Sequence, residues 1–505
     1  MYRSPSLRPV ALKQCWHHSA FHFSLLLTLS ALLLFGGLHK GDLSGYDDAA
    51  YAHEAKMILH TGNWWTLSLN GADDFDKPPL FVWMLALAMK VFGLTDFAAK
   101  FPAALLGWGT VILVYWVAKE LTSNKTVALL SMLVLISTQY FLKYATHAMT
   151  GVPCTFFFTL AIWAYLKGRT AWPYWLLCSI AIALTNWICS PVGFLLIGII
   201  LSHALFARGF SRRQYYWLAG GLSVGVLLSL SWHAGNYWLH GEDFLAHHFH
   251  NFSNHVFDRS PSDAQSYFHY LYLLARHYWP WLPLLVIGGV IQSRNILRER
   301  STTALILLLW MGGILLPFSF ASSKVLRYLL PAFPAFSIVV GITLYQWLSA
   351  SKREWLLKVG YLVLAAAALV IIVFPAYQQR ASDMKAIAPI AEAQTHQIER
   401  VILYTWGTTG WDYRNQFIWY SDRLISLRTS LNEVVELLQC APQLVVILDK
   451  ESFQQIAAQL NPEQIAVLAR AEKFICLKKS SSDLPDRQQA QIRARPSPFS
   501  DEDSR

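Results

Sequence analysis

Carboxylates, a lysine and a Pro-Pro pair crowd one stretch of this sequence, Tyr46 to Pro79, between two apolar segments. It reads Tyr46-Asp47-Asp48-Ala49-Ala50-Tyr51-Ala52-His53-Glu54, then Thr61-Gly62-Asn63-Trp64-Trp65, then Phe75-Asp76-Lys77-Pro78-Pro79. A carboxylate here can act as a general base on an acceptor hydroxyl. Adjacent helical residues point about 100° apart, so at most one of Asp47 and Asp48 aims into a given cleft. Tyr51, four residues after Asp47, shares its face. The plainer use of the two acids is to favour a helix N-terminus, where the dipole is positive.

Pro78 and Pro79 deny helix to the residues before them, which pins Lys77 beside Asp76. A lysine held at a membrane surface suits the phosphate of a lipid, and its alternative is to snorkel there. A later segment, Ser322-Ser323-Lys324-Val325-Leu326-Arg327-Tyr328, adds Lys324, Arg327 and Tyr328. A guanidinium such as that of Arg327 can grip a phosphate with two parallel N–H bonds. Between these segments lie His247, His248, His250, His255, His269 and His277, with Asp258, Arg259 and Asp263. Their spacing matches neither a zinc protease nor a zinc finger, so they read as surface or interface histidines. A divalent metal ion held by Asp76 and a residue of that loop, Asp263, is the alternative.

These parts fit sugar transfer from a polyprenyl-phosphate donor. A phosphate is already a good leaving group, so one carboxylate and a few cations suffice, whereas a glycosidase needs two carboxyl groups. Cations at Lys77 and Arg327 would stabilise charge on the departing phosphate.

The elements that must position these residues are mostly membrane spans. The chain has 505 residues, 54% apolar and 14% charged, too much apolar surface for one soluble core. Blocks of about 20 apolar residues, enough to cross a bilayer, fall near 21–39, 99–118, 126–145, 152–168, 172–188, 191–207, 215–233, 280–293, 302–320, 329–350 and 355–377. The first block lacks a small-x-small cleavage site and reads as a retained span. The run 80–93 is short and carries Lys90, so it reads as an interfacial helix. The formal charge of +10 is scattered through short loops, which excludes nucleic acid as the partner and marks topology instead. Lys119, Lys125, Lys167, Arg169, Arg208, Arg212, Arg213, Arg294, Arg298, Arg300, Lys352 and Arg353 then face the cytoplasm with the N-terminus. The loops 40–98 and 234–279, the segments 146–151 and 321–328 and everything after about 378 face the other side, and they hold nearly every candidate residue.

The polytopic domain therefore covers 1–377. Val401-Ile402-Leu403-Tyr404 and Leu444-Val445-Val446-Ile447-Leu448 read as buried strands, with a helix over Leu431–Leu438 between them. They predict a small α/β domain over 378–478, followed by a disordered tail, 479–505. Six cysteines show no metal-ligand spacing; Cys154, Cys178 and Cys189 sit in or beside spans, and Cys440 with Cys476 is a candidate pair.

The pattern Asp47-Asp48-x-x-Tyr51-Ala52, Gly62-x-Trp64, Asn70-Gly71, Phe75-Asp76-Lys77-Pro78-Pro79-Leu80 and Arg327-Tyr328-x-x-Pro331 resembles the GT-C glycosyltransferases of the protein O-mannosyltransferase and lipid A aminoarabinose transferase group. The resemblance spans roughly residues 20–350. It implies a GT-C fold of about eleven transmembrane helices in a bacterial inner membrane, with the C-terminal domain periplasmic. It implies Asp47 as the catalytic carboxylate, with Asp48 at the position of the family's second acid and Tyr51 in support. Lys77 would contact the donor phosphate, Asp76 would sit where some members hold a metal, and Lys324, Arg327 and Tyr328 would complete the donor site. Its partners would be membrane lipids, a polyprenyl-phosphate sugar and a lipid, glycan or protein acceptor.

Two motifs depart from the family. Where it has Ala-Arg-x-x-x-x-Asp, this chain has Ala145-Thr146-His147-Ala148-Met149-Thr150-Gly151, and where it has Thr-Lys-Gly this chain has Thr185-Asn186-Trp187. Losing both Arg and Asp predicts uncharged space beside Gly151 and an altered choice of substrate. A non-catalytic protein that binds or transports such lipids on the same scaffold is the competing expectation. An ordinary transporter is disfavoured, because the spans carry few interior charges.

Overall fold

The computed structural model describes residues 9–45, 47–207, 209–257, 268–321, 324–374, 382–395, 400–405, 410–440, 444–459 and 465–479. In chain order it contains helix α1 (Pro9–Phe35), helix α2 (Asp47–Thr61), the hairpin β1 (Leu67–Leu69) and β2 (Ala72–Asp74), and helix α3 (Leu80–Phe92). Helices α4 (Asp96–Thr122), α5 (Lys125–Ile136), α6 (Gln139–Ala145), α7 (Gly151–Gly168), α8 (Pro173–Asn186), α9 (Ser190–Phe206) and α10 (Arg212–His240) follow. Then come α11 (Glu242–Phe257), α12 (His269–His277), α13 (Leu282–Glu299), α14 (Thr302–Phe320), a 3-10 segment (Leu326–Ala332), α15 (Phe333–Trp347) and α16 (Ala350–Val373). The remainder is α17 (Asp383–Ala393), β3 (Val401–Tyr404), α18 (Gly410–Tyr420), β4 (Ile425–Arg428), α19 (Leu431–Cys440), β5 (Val445–Asp449), α20 (Lys450–Gln459), β6 (Ile465–Arg470) and β7 (Phe474–Lys479).

Two compact units result. A helical unit comprises Met1–Lys40 and Phe75–Gln378, and an α/β unit joins Gly41–Asp74 to Gln379–Arg505. The long first loop is thus divided: α2 and the β1–β2 hairpin fold with the C-terminal sheet.

In the helical unit each apolar block read from the sequence is helical over most of its described residues. Among the described residues five helices are long and apolar enough to cross a membrane, and six if α5 and α6 form one broken span. Those two helices meet at 69°. The cause is local: Ser137 Oγ and Thr138 Oγ1 both donate to the Val134 carbonyl, at 3.0 and 2.8 Å, in competition with the helical ladder. Helix α15 forms the centre of the unit, with Phe333, Phe336, Ile338, Val339 and Val340 fully buried. Lys40 ties α1 to the end of α16 by donating to the carbonyls of Ile371 and Ile372.

The α/β unit is a five-stranded sheet in the order β4-β3-β5-β7-β6. Strand β3 runs parallel to β4 and β5, while β7 runs antiparallel to β5 and β6. Alternate residues face opposite sides of a strand. Val401, Leu403, Val445 and Ile447 accordingly pack with α17 and α18, and Ile402, Tyr404, Val446 and Leu448 with α19 and α20. Cover on both faces explains why the β3 and β5 segments are unbroken apolar runs. Cys440 is exposed at the end of α19, Cys476 is buried in β7, and both are free thiols, so the candidate pair is not formed. Burial pushes the Cys476 thiol up to about 12. Of the expected tail only Lys479 is described, as the end of β7; residues 480–505 lie outside the described residues.

Candidate functional site

Within the helical unit the loop Phe75–Pro79 is fastened at both ends. His248, on α11, pairs through Nδ1 with the Phe75 carbonyl at 2.7 Å, and the Phe75 ring packs against His240 and Phe244. At the other end, Leu80 N–H donates to the Trp187 carbonyl at 3.2 Å, and the Trp83 and Trp187 rings meet at 5.4 Å. Lys77 Nζ lies 3.3 Å from Asp76 Oδ2, with both side chains about a third exposed. Such a pair is worth little as a staple and leaves the ammonium accessible to an anion.

Arg327 and Tyr328 come from the 3-10 segment. It is held by Trp310 Nε1 donating to the Pro331 carbonyl at 2.7 Å, and by Tyr270 OH donating to the Val325 carbonyl at 3.3 Å. The Tyr328 ring stacks on Phe318, and the Arg327 guanidinium lies 5.6 Å from the Tyr328 ring centre. The charges of Lys77 and Arg327 both act on the thiol of Cys189 at the head of α9. Both cations, remote in sequence, therefore lie within electrostatic reach of one thiol. Lys324 has a different setting: it is 6% exposed, and its ammonium donates to the Ala321 carbonyl at the end of α14 at 2.7 Å.

The two family departures have physical explanations. A Cβ on Gly151 would lie 2.7 Å from Leu330 Cδ1 and 3.6 Å from the Arg327 carbonyl oxygen. The uncharged space expected there does not exist, because Leu330, fully buried, fills it. Thr146 turns its hydroxyl back to the carbonyls of Leu142 and Lys143 at 3.1 Å each. Asn186 is fully buried, donating to Ser229 Oγ at 2.9 Å and the Ile182 carbonyl at 3.3 Å. It is a packing residue where the family carries a cation.

In the α/β unit, α2 and α18 lie side by side. His53 Nδ1 pairs with the Ile418 carbonyl at 2.9 Å, and Lys56 donates to the carbonyls of Ile418, Trp419 and Ser421 at 3.1, 3.1 and 2.7 Å. Lys56, 5% exposed, thus satisfies carbonyls left open at the end of α18. It also pairs with Asp422 at 3.0 Å. Burial alone would raise the Asp422 carboxyl, but the hydrogen bond and charge of Lys56 hold it below its ordinary value. Burial, then the charge of Lys56, push His53 down to about 3. At the head of α2, Asp48 is fully buried and Asp47 is partly open, so Asp47 is the more accessible of the two acids. Tyr51 is 5% exposed.

Asn70 and Gly71 form the β1–β2 turn with positive φ, 55° and 84°, as a two-residue hairpin turn requires. The Asn70 amide also pairs with both backbone groups of Ile425, at 2.9 and 3.0 Å, and so docks the hairpin on β4. The roles of His248 and Lys56 were not visible in the sequence. Each depends on a partner remote in the chain, and no local spacing marks it.

Among the described residues no three His, Cys, Asp or Glu side chains gather as a metal set. Asp76 faces an ammonium, and Asp263 lies outside the described residues. The expected pairing of Asp76 with Asp263 around a divalent ion thus lies partly outside the described residues, and no metal enters the chemistry proposed for this chain.

A family model described as dolichyl-phosphate-mannose-protein mannosyltransferase matches residues 76–232. An uncharacterized protein of Aquifex aeolicus (strain VF5) is 30% identical over 323 residues, 63% of this chain and 62% of that one. An undecaprenyl phosphate-alpha-4-amino-4-deoxy-L-arabinose arabinosyl transferase of Pectobacterium carotovorum is 26% identical over 349 residues, 67% of this chain and 61% of that one. The chain thus spans about three fifths of the length of these relatives. Among solved structures, ArnT from Cupriavidus metallidurans bound to undecaprenyl phosphate superimposes with a TM-score of 0.74 at 16% identity, over 91% of this chain and 98% of that one. The Archaeoglobus fulgidus oligosaccharyltransferase AglB gives 0.56 at 14% identity, over 93% and 75%. The chain is a multi-pass membrane protein with the GT-C fold, and it resembles in sequence and structure the glycosyltransferases of the protein O-mannosyltransferase and aminoarabinose transferase group.

Proposed function

We propose that this protein transfers a sugar from a polyprenyl-phosphate donor to a lipid, glycan or protein acceptor at the periplasmic face of a bacterial inner membrane, through a domain of eleven spans. The observation that carries the proposal is the loop Phe75–Pro79, fastened at both ends and holding a partly exposed Lys77 beside Asp76, a cation suited to a lipid phosphate. The likeness to ArnT with undecaprenyl phosphate bound supports the donor class. Asp47 takes the proton of the acceptor hydroxyl, and the acceptor oxygen attacks the anomeric carbon. The bond from that carbon to the phosphate oxygen breaks, and Lys77 and Arg327 stabilise the charge left on the phosphate. Asp48 and Tyr51 support Asp47, while Tyr328 orients Arg327.

The test uses purified full-length protein, undecaprenyl phosphates carrying mannose or 4-amino-4-deoxy-L-arabinose, and an envelope lipid and glycan extract as acceptor. Product is followed by mass spectrometry. Transfer that Lys77→Ala slows supports the proposal. Tight binding of these donors with no transfer favours a non-catalytic carrier on the same scaffold.

A further inference from the structure

Asp76 is the loose joint of the loop that carries Lys77. Pro78 and Pro79 have fixed φ, and each restricts the residue before it, Lys77 and Pro78. Leu80 N–H is held by the Trp187 carbonyl at 3.2 Å, so the backbone from Lys77 to Leu80 has little freedom of its own. The freedom that remains lies at Asp76 and the start of Lys77, and holding the Phe75 carbonyl removes it.

His248 supplies that hold. A carbonyl oxygen only accepts, so Nδ1 carries the proton of the 2.7 Å bond. The His248 side chain is itself fixed. It is 8% exposed, its ring stacks on Phe244 at 5.3 Å, and it meets the His233 ring edge-on at 5.1 Å. Phe244, fully buried, also takes the Phe75 ring at 5.5 Å. His233 Nε2 pairs with Ser190 Oγ at 3.4 Å, and Ser190 Oγ donates to the Asn186 carbonyl at 3.3 Å. Asn186 precedes Trp187, so both anchors of the loop stand on one bracket formed by α10, α11 and the corner between α8 and α9.

We propose that His248 is a positioning residue for the donor phosphate: its Nδ1–H fixes the Phe75 carbonyl and, through it, the place where the Lys77 ammonium meets a polyprenyl phosphate. The inference rests on Lys77 being the donor-phosphate contact of the proposed function. It gives α11 a part in donor binding without a side chain on the ligand. The plainer role for His248 is aromatic packing, for which the shape of the ring matters and the Nδ1 donor does not.

The two roles call for opposite substitutions. Asparagine places an amide N–H where Nδ1 stands and discards the ring, whereas phenylalanine keeps the ring and discards the donor. Glutamine places its amide where Nε2 stands, away from the Phe75 carbonyl. Binding of undecaprenyl phosphate is measured in lipid vesicles with full-length wild type, His248→Phe, His248→Gln, His248→Asn, Lys77→Ala and the double variant Lys77→Ala/His248→Phe. His248→Phe is expected to weaken binding about fivefold, the effect of one lost hydrogen bond, with His248→Gln alike and His248→Asn recovering most of the loss. In the Lys77→Ala background, His248→Phe should weaken binding by less than about twofold more, because the ammonium it positions is gone. If His248→Phe does not fold, His248→Gln takes its place in every comparison. With Lys77→Ala weakened, three results each overturn this inference alone: wild-type binding in His248→Phe, binding in His248→Asn no better than in His248→Phe, or losses that multiply in the double variant. Wild-type binding in Lys77→Ala overturns the donor contact and this inference together.

Discussion

Gly151 shows how a lost charge changes its surroundings. With Leu330 filling the position, Gly151→Asp overpacks the site, and overpacking costs roughly 1–3 kcal/mol. Adding Thr146→Arg will not restore stability, whereas adding Leu330→Ala will restore part of it. Thermal unfolding of the three variants checks this, and equal stability of Gly151→Asp and wild type would contradict it. Lys77→Ala should weaken donor binding and slow transfer together, because its phosphate contact exists in the ground state and strengthens as the bond breaks. Unchanged donor binding in that variant would remove Lys77 from the donor site. The motif Asp76-Lys77-Pro78-Pro79 was legible because proline restricts its neighbours. The fastening of its two ends by His248 and Trp187 was not, since both partners lie far along the chain.

Helix α2 depends on α18 through one buried ammonium. Lys56→Met removes the donor to three carbonyls and leaves Asp422 without its cation. Asp422 is more than half exposed, so the ion pair itself contributes little; the cost is that of buried carbonyls left without a donor, about 1–3 kcal/mol, so the α/β unit should melt earlier in Lys56→Met, and an unchanged melting temperature would make Lys56 peripheral. His53 adds a pH dependence. In the folded unit it titrates near 3, below the ordinary value of about 6.5, so the unfolded chain binds the proton first. Its contribution is complete above about pH 6.5 and falls as pH drops toward 3, by at most about 1.4 kcal/mol per pH unit. His53→Gln should flatten that slope in unfolding measurements, and an unchanged slope would assign the acid sensitivity elsewhere. Strands β3 and β5 were legible as continuous apolar runs, and α19 as the pattern between them. Strand β4 was not, because Ile425-Ser426-Leu427-Arg428 alternates apolar with polar residues and takes its strand form from β3 beside it, while β6 and β7 are short apolar runs that periodicity alone does not tell from helix.

The chain as a whole places Asp47, Asp48 and its C-terminal sheet in one folding unit. Apolar blocks made the helical unit readable, but the partnership of Gly41–Asp74 with Gln379–Arg505 rests on contacts across more than three hundred residues, which composition does not encode. Removing everything after residue 378 should therefore expose 41–74 to rapid hydrogen exchange while the helices from Asp96 onward keep their protection. Retained protection of α2 in that truncation would contradict the unit. Cysteine labelling from the periplasm should modify Ser44→Cys, and labelling only after the membrane is opened would reverse the orientation. The most direct measurement is donor binding and sugar transfer by Asp47→Asn beside wild type, with the same undecaprenyl-phosphate sugars. Near-normal binding with transfer abolished is expected, because the change removes a base and keeps its shape. Wild-type binding without transfer, or transfer undiminished in Asp47→Asn, would contradict it.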